Sequence, residues 1–305
     1  MIDFKDITLA DKDLITSYTM NSSRRNCDLS FSNLCSWRFL YNTKFAIVDN
    51  FLVFKFWAED KLAYMMPVGT GNPKDVLQKL INDATEENQP FCILGVCTGM
   101  RNELEDTMPE QFQFTADRDY ADYIYLRSDL ATLKGKKFQA KRNHINRFRN
   151  SYPNYEYTPI TLDRIKECME LEAEWCKVNN CDQQEGTGNE RRALIYALHN
   201  FEALGLTGGI LHVDGKIVAF TFGMPINKDT FGVHVEKADT SIDGAYAMIN
   251  YEFSSRIPEQ YTYINREEDL GIEGLRKAKL SYQPTIILEK YMACLQTCPM
   301  EMVKW

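Results

Sequence analysis

Apolar positions along this chain fall into two patterns, short strand-like runs and longer stretches at helical spacing, and the two patterns alternate. Residues 45–56 (FAIVDNFLVFKF) and 61–68 (KLAYMMPV) read as strands of a meander, with Asp49-Asn50 suited to a tight turn. Pro73 opens a helical stretch in which Val76, Leu77, Leu80, Ile81 and Ala84 share one face. FCILGVC at 91–97 is a continuous apolar run of the kind a buried strand carries. A helix follows through 100–108, and 111–126 alternates in strand fashion through Tyr120, Tyr123 and Tyr125.

The second half repeats this order. Helical stripes at 162–178 (Leu162, Ile165, Cys168, Met169, Glu172, Trp175, Cys176) and 189–204 (Leu194, Ile195, Leu198, Phe201, Leu204) come first. GGILHVDGKIVAFTFGMPI at 208–226 is a hairpin turning at Asp214-Gly215, and 230–238 is a third strand. Ala245, Met248, Ile249 and Phe253 then form a helical stripe. YTYIN at 261–265 is a buried strand, 273–281 a helix and 284–295 a closing strand. The shared layout predicts a duplicated α/β chain with mixed, mostly antiparallel sheets flanked by helices. Its parts are an N-terminal half at 1–129, a connecting helix at 130–150 and a C-terminal half at 151–305.

A length of 305 residues allows two cores of ordinary size, and 44% apolar with 26% charged residues is a globular composition. No apolar run approaches the ~20 residues needed to cross a bilayer. MIDFKDITLADKDLI has neither a basic leader nor an apolar core, so a cytoplasmic location is expected. The nine cysteines (27, 35, 92, 97, 168, 176, 181, 294, 298) are odd in number and scattered, which predicts reduced, mostly buried thiols. Neither they nor the four dispersed histidines (144, 199, 212, 234) show metal-ligand spacing, so no metal is expected.

Charge singles out three segments. LKGKKFQAKRNHINRFRN at 133–150 carries seven basic and no acidic residues in a chain of net charge −8. Phe138, Ile145 and Phe148 give it one apolar edge, leaving the other faces to display cations, either toward a phosphate or simply toward solvent. In YINREEDLGIEGLRKAKLSYQP at 263–284 a strand runs into Asn265, Glu267, Glu268 and Asp269, then Gly271 and Gly274, then a helix bearing Arg276, Lys277 and Lys279. Acids at a helix start and bases near its end complement the helix dipole without any ligand. Such a junction is also where α/β folds bind ligands. In the third segment, Asp243-Gly244-Ala245-Tyr246 opens a helix whose N-terminus could meet a phosphate, or is an ordinary Asp cap. His234 and Glu236 alternate with Val233 and Val235 on the preceding strand and share one face. No nucleophile elbow, Walker loop, dinucleotide fingerprint or HExxH is present, which disfavours the common hydrolases, nucleotide hydrolysis and redox cofactors.

At KGKKFQAKRNHINRF, paired with NREEDLGIEGLRKAKLSYQP, the chain resembles the C-terminal catalytic domain of bacterial phosphatidylglycerol lysyltransferases, over most of residues 25–295. The resemblance implies two tandem GNAT-like halves, as in the Fem peptidyltransferases, and transfer of an acyl or aminoacyl group to an amine or hydroxyl. Membrane members of that family move lysine or alanine from a charged tRNA to phosphatidylglycerol. Within these 305 residues no counterpart of those members' membrane-embedded domain is expected, so the acceptor stays open. Carried over by motif, Lys141, Arg142, Asn143, Glu267, Asp269, Gly271, Gly274, Arg276 and Lys279 are expected to line a single pocket, with Asn265, His234, Glu236, Gly244, Ala245 and Tyr246 beside them. Glu268 or Asp269, with Glu267 beside them, is the expected base. No tightly bound cofactor is expected; the donor is a coenzyme A thioester or an aminoacyl-tRNA, and a peripheral membrane contact and the oligomeric state are left open. The rival reading is a non-catalytic ligand-binding module on a degenerate GNAT fold.

Overall fold

A computed structural model of the chain describes residues 2–58, 60–179 and 185–297. Its strands are β1 (Lys5–Asp6), β2 (Lys44–Val48), β3 (Phe51–Ala58), β4 (Lys61–Met65), β5 (Val68–Gly69), β6 (Cys92–Cys97) and β7 (Phe112–Leu126). They continue with β8 (Glu156–Pro159), β9 (Thr207–Val213), β10 (Lys216–Pro225), β11 (Thr230–Ala238), β12 (Tyr263–Asn265) and β13 (Ile286–Leu295). Asp49 and Asn50 both take positive φ, as do Asp214 and Gly215, so both expected hairpin turns form.

The chain divides into two compact units. The first is Met1–Asp122 with Glu268–Glu273 and Ile287–Trp305, and the second is Tyr123–Glu267 with Gly274–Ile286. This differs from the expected boundaries at 129 and 150. The closing strand does not stay with the elements that precede it, and six residues after β12 also belong to the first unit.

In the first unit the strand order is β1-β2-β3-β4-β6-β13 and then the opening part of β7, with β5 on β3. Helices Pro73–Glu86 and Thr98–Thr107 cover one face, burying Val76, Leu77, Leu80, Met100 and Leu104 against Val53, Tyr64 and Ile93. Cys92 and Cys294, partners across β6 and β13, are joined in a disulfide. This corrects the expectation of reduced thiols throughout, since residues 202 apart in sequence become neighbours in the sheet. Cys176 is disulfide-bonded as well, whereas Cys27, Cys35, Cys97 and Cys168 are buried and lie outside any disulfide; Cys181 and Cys298 lie outside the described residues.

In the second unit the end of β7 is followed by β12, β11, β10, β9 and β8. Helix Gln139–Ser151, the basic one, docks the apolar edge expected of it: Phe138, Ile145 and Phe148 join Leu211, Val218, Met248 and Ile249 in one core. β11 pairs with β12 in parallel only through Thr230–Gly232, while β10 accompanies it to Ala238. Beyond Gly232, β11 keeps β10 as its ladder partner among the described residues, and the sheet opens there. Among the described residues no helix is long and apolar enough to cross a membrane.

Candidate functional site

Two of the charged clusters hold residues expected at the site, one in each unit. The first gathers around Lys290 of β13, whose ammonium is 2.5 Å from Glu268, 2.8 Å from Asp122, 2.9 Å from Asp28 and 3.5 Å from the Cys27 sulfur. The Cys27 thiol lies 3.3 Å from Asp122 Oδ1 and 3.2 Å from Glu268 Oε1, and its backbone N–H donates to Asp122. Three carboxylates around one cation leave an excess of negative charge. Burial, with Glu268 and Asp28 nearby, pushes the Asp122 carboxyl up to about 7 although Lys290 opposes it. Burial acts to lower the Lys290 pKa, but the acids outweigh it and hold the ammonium well above the ordinary range. Burial and the same acids push the Cys27 thiol up, which disfavours a nucleophilic thiolate. Cys27, Asp122 and Glu268 offer ligand atoms within 4.8 Å of one another, but the Lys290 ammonium already supplies the cation among them.

The second cluster sits where β11 outruns β12. Glu236, on the part of β11 beyond its pairing with β12, accepts from Arg266 Nη2 at 3.0 Å and from Asn250 Nδ2 at 3.2 Å, so both its oxygens are engaged. Arg266 follows β12 directly. Its guanidinium lies 4.7 Å over the ring of Tyr282 and 5.7 Å from that of Tyr125. The Lys279 ammonium donates to the Arg266 carbonyl, and the Tyr125 hydroxyl donates to the Lys279 carbonyl at 2.8 Å, which ties helix Glu273–Leu280 to the end of β12. Arg266 Nη1 and Asn250 Oδ1 are buried with no hydrogen-bond partner among the described residues. A buried donor left open in this way is rare and marks a place for a ligand group or water. The Lys141 ammonium rests 3.9 Å over the Tyr282 ring. Burial first, and Arg266 second, pull its pKa down to about 8 against the pull of Glu236.

The expected residues are therefore only partly brought together. Lys141, Glu236 and Lys279 meet at Arg266 and Tyr282, and His234 Nδ1 pairs with Glu267 at 2.7 Å. Asn265 is buried and accepts the Glu267 N–H, fixing the turn out of β12. The three consecutive acids have different partners. Glu267 stays in the second unit, while Glu268 and Asp269 belong to the first. There Glu268 binds Lys290, and Asp269 accepts from Arg118 and from the Gly271 N–H. Arg142 donates to the Leu133 and Gly135 carbonyls and to Gln139, closing the preceding turn, and Asn143 accepts from Gln139 on the surface. Arg276 is half-buried on its helix, and Gly274 is exposed with open space where a side chain would be. At Gly244, φ is +84°, and an added Cβ would lie 3.0 Å from the His144 carbonyl and 3.1 Å from Phe148. The absence of a side chain at Gly244 thus admits the basic helix. Tyr246 is turned to Trp175, whose ring also carries the Lys237 ammonium at 3.5 Å. Arg266, Asn250, Tyr125 and Tyr282 were not anticipated. The one signal for Arg266 was a cation directly after a buried strand and before three acids.

Comparison with known proteins extends this picture. The chain is similar to a conserved protein of unknown function from Bacteroides thetaiotaomicron VPI-5482, with 82% identity and a TM-score of 0.95 over 97% of this chain and all (100%) of that one. It shares 16% identity and a TM-score of 0.68 with L-PGS from Bacillus licheniformis, covering 99% of this chain and 97% of the other. A tandem GNAT protein from the clavulanic acid biosynthesis pathway aligns at 8% identity with a TM-score of 0.50, over 96% of this chain and 98% of that one. A protein of Mycoplasmoides gallisepticum (strain R(low / passage 15 / clone 2)) is 26% identical over 175 residues, so the match takes in 56% of this chain and little more than half, 55%, of that relative's length. The distant structures share the fold, two tandem GNAT-like α/β halves. The sequence model for "Phosphatidylglycerol lysyltransferase, C-terminal" matches residues 19–294, and the chain belongs to that family.

Proposed function

We propose that this chain is an acyl- or aminoacyl-transferase whose reaction takes place in the second unit, at the opening between β11 and β12. The observation that carries the reading is Arg266. Its guanidinium is oriented by Glu236 and braced on Tyr282, and its buried Nη1 offers a fixed donor with no acceptor among the described residues. In acyl transfer a nucleophile attacks an ester or thioester carbonyl, and the carbonyl oxygen gathers negative charge as the tetrahedral intermediate forms. A preorganised, desolvated donor at that oxygen lowers the barrier, and holding both reactants in place supplies much of the rest. The donor is a coenzyme A thioester or an aminoacyl-tRNA, and the acceptor an amine or a hydroxyl. The family's name points to lysine and phosphatidylglycerol as the first pair to try.

The test is direct. Purified protein is supplied with radiolabelled acetyl-CoA or lysyl-tRNA, together with small amines or phosphatidylglycerol vesicles, and labelled product is measured. Product with one donor is expected. Arg266→Lys, which cannot reproduce the fork, should lower kcat/KM by about 100-fold, the cost of one such donor. No product with either donor, and no thermal shift with coenzyme A or bulk tRNA, would overturn the assignment.

A further inference from the structure

Among the charged groups of the second cluster, Lys141 alone has neither a hydrogen bond nor an ion pair among the described residues. Its nitrogen packs on the Tyr282 ring, and its side chain is half-buried. The charged groups near it, and the others of the cluster named above, are engaged. Both oxygens of Glu236 accept hydrogen bonds, Arg266 bonds Glu236, Lys279 bonds the Arg266 carbonyl, and Glu267 holds His234. On its own helix, Arg142 turns away to the Leu133 and Gly135 carbonyls. An unpaired amine beside a guanidinium and an aromatic face holds its proton loosely and can stand as the neutral base.

We propose that Lys141 takes the proton from the acceptor's attacking amine or hydroxyl, an inference that rests on the transferase assignment above. As the acceptor's lone pair forms its bond to the acyl carbon, the acceptor's proton passes to Lys141 Nζ. The intermediate then expels the donor's sulfur or ribose oxygen, which takes up that proton and returns Lys141 to the neutral amine. Glu236 orients Arg266, and Arg266 receives the carbonyl oxygen.

Two measurements separate this role from a structural one. In competitive labelling, trace acetic anhydride is applied to the folded protein between about pH 6 and 11, and each lysine peptide is quantified by mass spectrometry. Lys141 should reach half-labelling near pH 8, well below exposed lysines such as Lys134 and Lys216. A half-point among theirs overturns the inference. In turnover assays, wild-type kcat should rise with pH to a plateau with its midpoint near 8. Lys141→Arg and Lys141→Ala should lose about 100-fold in kcat with a smaller change in KM, the loss expected of a missing base. Added ethylamine should restore activity to Lys141→Ala but not to Lys141→Arg. Wild-type turnover with an unchanged profile for Lys141→Ala sinks the inference alone; absence of wild-type turnover sinks the transferase assignment with it.

Discussion

At the scale of single residues, the cations of the two clusters have opposite surroundings. Lys290 is over-supplied with acid, whereas Arg266 pairs with Glu236 alone and Lys141 has no ion pair among the described residues. Removing Lys290 strands Asp122 and Glu268 in a site they cannot leave. Lys290→Met should cost about 3–5 kcal/mol in urea unfolding, the range for breaking a buried ion pair. Asp122 adds a pH signature. Its carboxyl titrates higher in the folded protein, about 7, than the ordinary 3.8, so the folded state holds that proton more tightly. The stability from this group is full below about pH 4, falls as pH rises toward 7 and is level above. Unfolding free energies measured at intervals from pH 4 to 8 should fall more steeply for wild type than for Asp122→Asn. Equal slopes would show that Asp122 is ionised throughout.

At the scale of elements, most of the strands and helices could be read from the sequence, and the site largely could not. Alternation and helical spacing report which face of an element is buried, so Phe138, Ile145 and Phe148 marked the docking edge of the basic helix correctly. They carry no information about how long two strands stay paired, and the opening beside Glu236 exists because β12 stops after three residues. The partners of Arg266 lie at 236, 250 and 282, brought close by pairing and not by any local motif. The acids at 267–269 look like one constellation in sequence. The turn after β12 sends them to different partners, with Glu267 and Leu270 both at positive φ. Gly244 tests the reading that its small size serves helix packing. Gly244→Ala should destabilise by about 1–2 kcal/mol through its positive φ and the His144 contact, seen as a lower Tm. A stable variant with weakened coenzyme A binding would instead restore the phosphate site expected there.

At the scale of the whole molecule, the duplicated layout and the family were legible, because element order and two long motifs survive in the chain. The unit boundaries were not, since nothing in residues 284–295 says that they return to a sheet begun near the N-terminus. The Cys92–Cys294 bond follows from that return. Cys294→Ala, or reduction of the folded protein, should lower the unfolding free energy by roughly 2–4 kcal/mol, measured by denaturant titration with and without reductant. No change would mean the sulfurs are not joined in solution.

The position of β13 between β6 and β7 also orders events during biosynthesis. The two strands that flank it emerge from the ribosome long before it does, at a synthesis rate of roughly 5–20 residues per second. For that interval each presents a bare row of backbone donors and acceptors, with a gap waiting to be filled. A nascent chain stalled before residue 286 would be a sticky half-sheet, so the fidelity of folding depends on late residues arriving before a neighbouring chain does.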